Sequence, residues 1–172
     1  MTKAALLALA LSAAALSTGL AGCAGFTPLY GDTGVVRGLA SIDVEAPDGR
    51  TGFLIRQHLD DAFAQGRDRA GPSAYTMQLA LGEARYPRGV RIDNVATRYE
   101  YVLTADYVLR AQPSGAVAKR GRVRVELTYD SADQPYASIS AQQDAQDRAA
   151  EEAARRIELE LAVWLANGAK KG

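Results

Sequence analysis

Few residues in this chain could carry covalent chemistry. Cys23 is the sole cysteine and His58 the sole histidine. One cysteine excludes an internal disulfide framework, and one cysteine with one histidine leaves no multi-ligand zinc set. His58 falls on the flank of an amphipathic segment, with no Ser–His–Asp order and no nucleophile elbow around it. The adjacent Asp60 and Asp61 would diverge on a helix, so they read as its solvated face rather than as an acid–base pair. Asp130, Asp133 and Asp144 lack calcium-loop spacing. No Gly-rich phosphate loop follows a strand and opens a helix. The sequence predicts no enzyme, no cofactor and no metal site.

The remaining chemistry is that of recognition. Arg85, Arg88 and Arg91 precede one strand-like segment, and Lys119, Arg120, Arg122 and Arg124 lie on another. The planar fork of arginine suits phosphate; a solvated strand face is the competing use of the same residues. Tyrosine is frequent, eight against three Phe and one Trp. Several tyrosines alternate along strands, where an apolar ring with a polar rim suits half-buried surfaces and interfaces. Lys and Arg total 20, as do Asp and Glu, so no overall basic field points to nucleic acid.

Cys23 sits behind a targeting signal. Lys3 gives a short positive start, "AALLALALSAAALSTGL" gives an apolar run, and small residues lead to "LAGC". Ser12, Ser17, Thr18 and Gly19 interrupt the run, whereas a permanent helical anchor wants about 20 apolar residues. "LAGC" resembles the bacterial lipobox, with Leu20 at −3 and small Ala21 and Gly22 before Cys23. That resemblance implies a signal peptide over 1–22, diacylglyceryl transfer to the Cys23 thiol and acylation of the new amine. Several acyl chains at one residue hold far more firmly than one. Position +2 is Ala24 rather than Asp, which by the enterobacterial sorting rule favours the outer membrane. A free thiol within an ordinary signal peptide is the competing reading.

The elements that must position these residues follow from periodicity. The short Gly-rich stretch 31–38 reads as a linker or an irregular entry. "LASIDVEAP" alternates with period two and predicts a first strand. Ile55, Leu59, Ala62 and Phe63 share a helical face, predicting a helix from about Thr51 to Gln65. Three long alternating segments follow, carrying Tyr75 to Leu81, Tyr99 to Leu109 and Val117 to Tyr129. They predict an antiparallel meander with one packed face. "QPSGA" is the turn between the last two, and "PRGVRIDNVA" a longer connection. Ser140 or Ser138 could cap a final helix, whose buried stripe is Ala145, Ala149, Ala153, Ile157, Leu161, Trp164 and Leu165. Asn167-Gly168 ends it. The expected fold class is α+β, in the order β-α-β-β-β-α, with two helices on one face of a four-stranded, mostly antiparallel sheet. Residues 39–172 would form that domain, behind a lipidated segment 23–38.

Two stretches then carry a family resemblance. "CAGFTPLYG" (Cys23 to Gly31) is similar to the "C-G-F-x-P-L-Y" start of the lipopolysaccharide-assembly lipoprotein family LptE in its alphaproteobacterial form, with Ala24 inserted. "PYASISAQQDAQDRAAEEAARRI" resembles the family's "Y-A-x-x-x-A-x-x-D-A-x-x-R" start of the last helix, matched by Tyr136, Ala137, Ala141, Asp144, Ala145 and Arg148. The resemblance implies a non-enzymatic lipoprotein of the outer membrane, facing the periplasm and plugging the lumen of the β-barrel LptD in a 1:1 pair. It also implies help in barrel assembly and a part in lipopolysaccharide transport and insertion.

On that basis Arg85, Arg88, Arg91, Lys119, Arg120 and Arg122 are the lipopolysaccharide-binding candidates. Phe26, Pro28, Leu29, Tyr30 and Tyr136 are the partner-docking candidates, because an apolar "FTPLY" is poorly explained as a flexible polar tether. An envelope- or peptidoglycan-binding structural lipoprotein without a barrel partner is the competing expectation.

Overall fold

The fold is seen in a computed structural model that describes residues 33–64, 72–90, 92, 96–131 and 134–169. Its elements are α1 (Thr33–Ala40), β1 (Ile42–Glu45), α2 (Arg50–Phe63), β2 (Tyr75–Val90), β3 (Ala96–Ala111), β4 (Val117–Asp130) and α3 (Pro135–Ala169). The strands form one sheet in the order β1-β2-β3-β4. β1 runs parallel to β2, and the two later pairings are antiparallel. The α+β class and the succession β-α-β-β-β-α hold, with one helix added in front.

That added helix corrects the linker reading of 31–38 over residues 33–38. Val35 and Leu39 recur at i, i+4 and are 1% and 3% exposed, so α1 is amphipathic despite its glycines. Gly38 is there for contact: a Cβ would stand 2.8 Å from Leu165 Cδ2 of α3. The two glycines that lower helix propensity hid the element from pattern reading.

A second correction concerns Pro87. The connection expected over Pro87 to Ala96 is shorter, because β2 continues through Pro87 to Val90. Odd residues of β2 direct their backbone groups away from β3, as Tyr75 N–H does in donating to Ser41 O. β1 stops at Glu45, opposite Gln78. Among the described residues nothing on that side asks Pro87 for an N–H, so this part of β2, an edge beyond the end of β1, tolerates it. Likewise α3 starts at Pro135, ahead of Ser138 and Ser140; proline suits a first helical position. With 35 residues, α3 is about 52 Å long and spans the full length of the strands. "QPSGA" is the β3–β4 turn as expected, and Gly115 there takes φ 68°, a backbone conformation open to glycine.

The core lies between the odd-numbered sheet face and the helices. Met77, Leu103, Tyr107, Leu109 and Val125 meet Ile55, Leu59 and Phe63 of α2 and Ala145, Ala149, Ala153, Ile157 and Leu161 of α3. Each large apolar side chain fully buried here contributes about 1.5–3 kcal/mol. Ala145, Ala149 and Ala153 of α3, each 0% exposed, let the helix approach the sheet closely. Trp164 packs edge-on against Tyr75 at 5.6 Å.

Two tyrosines fasten the sheet to this layer. Tyr107 lies flat over Gly121 of β4, where a Cβ would be 2.3 Å from the ring. From there its hydroxyl donates to Glu160 Oε2 of α3 at 2.6 Å. Tyr101 donates to Glu83 Oε2 at 2.6 Å, and Gln146 of α3 donates to the same oxygen at 3.3 Å. Burial, and then the bond to Glu83, raises the Tyr101 phenol above its usual value. Burial, and then Glu160, does the same for Tyr107.

A folded pKa above the unfolded value of about 10 fixes the sign of the pH dependence. Both groups contribute stability that is fully present below about pH 10 and is lost as pH rises through their folded values. Thermal unfolding is expected to show Tm falling above about pH 10, and Tyr101→Phe with Tyr107→Phe should remove most of that slope.

Candidate functional site

The sheet has two unlike faces. The odd-numbered face is sealed by helices over most of its length. The even-numbered face carries none of the described helices, and its side chains pair with one another along and across the strands. Arg122 grips Asp106 with two donors, Nε to Oδ1 at 2.6 Å and Nη2 to Oδ2 at 3.2 Å. Arg124 Nε donates to Glu126 at 2.7 Å and Arg98 Nε to Asp130 at 2.8 Å. Arg88 pairs with Glu100. Arg110 and Gln78, Gln78 and Glu45, and Gln112 and Thr76 continue the ladder. Such exposed pairs add little to stability, about 0–1 kcal/mol each. They make this face a fixed array of charges and hydrogen-bonding groups suited to another polar wall.

One end of the molecule has a different character. It gathers the end of β2, the start of β3, the end of β4 and the start of α3. Arg85 emerges there on the helix side. Its guanidinium donates to Gln142 Oε1 at 2.7 Å and to the Tyr129 hydroxyl at 3.5 Å, and it lies 4.7 Å above the Tyr99 ring. Tyr99 stacks on Tyr129 at 5.7 Å. All these partners are neutral, so the charge of Arg85 is positioned without being cancelled. Ser131 at the end of β4 and Ser138 of α3 share a 3.0 Å hydrogen bond, which holds the first turns of α3 over this end. Around it, Tyr86, Ile92, Tyr136 and Ile139 are 49%, 107%, 84% and 56% exposed. Cations beside exposed apolar side chains form an amphipathic tip, and Arg88, Gly89, Thr97, Arg98 and Asp130 line a groove on it.

The six basic candidates do not converge. Arg85 stands opposite Tyr101, which stands opposite Leu127 of β4. Lys119 lies eight residues away on that strand, about 27 Å. Arg85 and Arg88 therefore belong to the tip, whereas Lys119, Arg120 and Arg122 belong to the opposite half. They also divide by face: Lys119 sits on the helix side, 6.0 Å from the Tyr107 ring centroid, and Arg120 and Arg122 on the open side. Arg91, Cys23, Phe26, Pro28, Leu29 and Tyr30 lie outside the described residues. Tyr136 is placed at the tip. Pattern reading missed Tyr86, Ile92 and Ile139. Tyr86 could have been found, because it breaks the odd-numbered phase of the other strand tyrosines.

His58 is a tie between helices: its Nε2 meets Asp147 Oδ1 at 3.2 Å, joining α2 to α3. Among the described residues no three His, Cys, Asp or Glu side chains are grouped to hold a metal ion. No described helix is long and apolar enough to cross a membrane.

A helix-backed sheet with one polar open face and one amphipathic tip defines a small α+β interaction module. The chain belongs to the LptE family: the family model described as lipopolysaccharide-assembly, LptE, matches residues 39–161. A crystallised lipoprotein from Caulobacter crescentus CB15 is 51% identical, with a TM-score of 0.67, over 79% of this chain and 98% of that one. The rare lipoprotein B of Shewanella oneidensis, 13% identical, shares the fold with a TM-score of 0.55 over 73% of this chain and 96% of its own. Lipoprotein B of Nitrosomonas europaea, 14% identical, does so with a TM-score of 0.55 over 76% and 86%. No curated protein matches the chain.

Proposed function

We propose that this chain is an outer-membrane lipoprotein that plugs an LptD-type β-barrel, helps assemble it, and takes part in moving lipopolysaccharide to the outer membrane. In this reading residues 1–22 are the signal peptide and Cys23 is the lipidated residue. Phe26, Pro28, Leu29 and Tyr30 hold the segment behind the lipid against the folded domain or the barrel wall. The work is done by binding rather than by catalysis.

Family membership supports the reading, and the observation that carries it is the uncovered sheet face. A plug needs its core sealed on one side and an outer surface that a polar lumen can wet or pair with. The even-numbered face of β2, β3 and β4 meets that need, because all its arginines but Arg120 are already partnered within the face and need no desolvated counter-ion from the barrel. Recovery of a barrel protein with the tagged chain from native outer membranes tests the proposal.

The tip is the part that suits lipopolysaccharide. Clustered phosphates call for arginine, and acyl chains call for exposed apolar side chains. Arg85 has the better claim, since its neighbours are neutral, whereas Arg88 is matched by Glu100. Arg85→Ala with Arg88→Ala is expected to weaken lipopolysaccharide binding by about tenfold in titration with the purified chain, on the scale of one lost charged hydrogen bond. Lys119→Ala with Arg120→Ala should leave binding within about twofold. Equal losses from both pairs would reject the tip as the site.

A further inference from the structure

Among the described residues β4 is an edge strand, and its outer side is organised. Ser131 N–H, in phase with the odd residues of β4, donates to Thr97 O. Odd residues of β4 therefore turn their backbone groups toward β3, and even residues turn theirs outward. One outward carbonyl is occupied. Arg156 of α3 donates from Nη1 to Arg124 O at 2.9 Å, and its Nε donates to Glu152 Oε1 at 2.6 Å. Arg155 holds the same carboxylate at 2.6 Å, and Arg155, then Arg156, keep Glu152 below its usual carboxylate range. A side chain thus covers the middle of an open strand edge, a recognised means of restraining edge pairing.

The charges along that edge are self-complementary. Arg120, Arg122, Arg124, Glu126, Thr128 and Asp130 share the open face. Arg120 has no side-chain partner among the described residues. Turning a second β4 antiparallel about Val125 sets Arg124 against Glu126 of the other copy, Arg122 against Thr128, and Arg120 against Asp130. By symmetry each contact occurs twice. Every such pair joins two outward-facing residues, so the register also satisfies the antiparallel hydrogen-bond pattern. Cross-strand pairs of opposite charge are favourable, and like charges directly opposite are not. A self-pairing shifted by one step, centred on Arg124, would oppose that arginine to itself. Beside the edge, Leu159 and Val163 of α3 are 49% and 44% exposed. They lie on the same side of the helix as Arg156, at i+3 and i+7.

We propose that the free edge of β4 is a pairing surface for a second copy of this chain, joined antiparallel about Val125, with Arg156 as the latch that holds the edge shut. The pairing concerns the chain outside any larger assembly and does not depend on the barrel reading. Sedimentation equilibrium tests it on the whole mature polypeptide, residues 23–172, with Cys23→Ser to exclude lipid-driven clustering.

A reversible monomer–dimer equilibrium is expected, tightened about tenfold by Arg156→Ala, which frees the Arg124 carbonyl. Arg120→Glu with Arg124→Glu should give a monomer, as should Glu126→Arg with Asp130→Arg. An equimolar mixture of those two variants should dimerise again, because every opposed pair becomes complementary. These side chains are exposed, and unchanged thermal unfolding confirms intact folding. Monomers throughout, Arg156→Ala included, would overturn the proposal. So would a dimer indifferent to both charge reversals, or a mixture of the reversed variants that stays monomeric.

Discussion

Gly121→Ala is expected to destabilise the domain by about 3 kcal/mol, although it adds one methyl group to an edge strand. The added Cβ would stand 2.3 Å from Tyr107 Cζ and 2.4 Å from both Cε1 and the hydroxyl oxygen. Backbone atoms of β4 cannot retreat without breaking the Tyr107–Gly121 register with β3. The ring must swing away, and it then gives up both its packing and its bond to Glu160. For a domain of this size that amounts to a fall in Tm of about 6–12 °C. In a Tyr107→Leu background the same change should cost under about 1 kcal/mol, because the clash is with the ring itself. Urea unfolding of the four proteins of this cycle gives the coupling directly. Near-additive losses would mean that Tyr107 does not depend on the missing side chain at 121.

Tyr136→Asp with Ile139→Asp is expected to lower recovery of a barrel partner by about tenfold or more while leaving the domain as stable as before. The two side chains are 84% and 56% exposed, so the isolated fold draws little from them. Large exposed apolar residues grouped at one end mark an interaction surface. Aromatic anchors of that kind carry about 2 kcal/mol or more each when buried by a partner, which is over tenfold in affinity. Unchanged Tm with reduced co-purification assigns the pair to docking. A matching fall in Tm would make them structural instead.

The strands, their order and the covered face were legible because strict alternation over long segments has few other physical solutions. Tyr75 to Leu81 and Tyr99 to Leu109 could be buried together only on one face. The stripe of α3 was legible for the same reason, and Ala145, Ala149, Ala153, Ile157 and Leu161 are all fully buried. α1 was hidden because an eight-residue helix with two glycines has a weak local signal, and its stability comes from Leu165 and the rest of α3. β2 was cut short at Pro87 because an edge position cannot be known before the strand order is.

The basic set shows a different limit. Arg85 and Lys119 look like parts of one patch when only their residue types are read. In an antiparallel meander, however, β2 and β4 run the same way, so the end of one and the beginning of the other fall at opposite ends of the sheet. Spacing grouped these residues by type but could not say that they lie on different surfaces. The neutrality of the groups around Arg85 came only with the fold, since Gln142 lies 57 residues away.

The most direct test of the account is purification of the tagged, full-length chain from native outer membranes in mild detergent. An LptD-type barrel protein is expected in about equimolar amount, retained through size exclusion, and lost when Phe26, Leu29 and Tyr30 are changed to Ser together with Tyr136→Asp. A lipidated, folded chain that elutes alone from outer membranes containing such a barrel would contradict it.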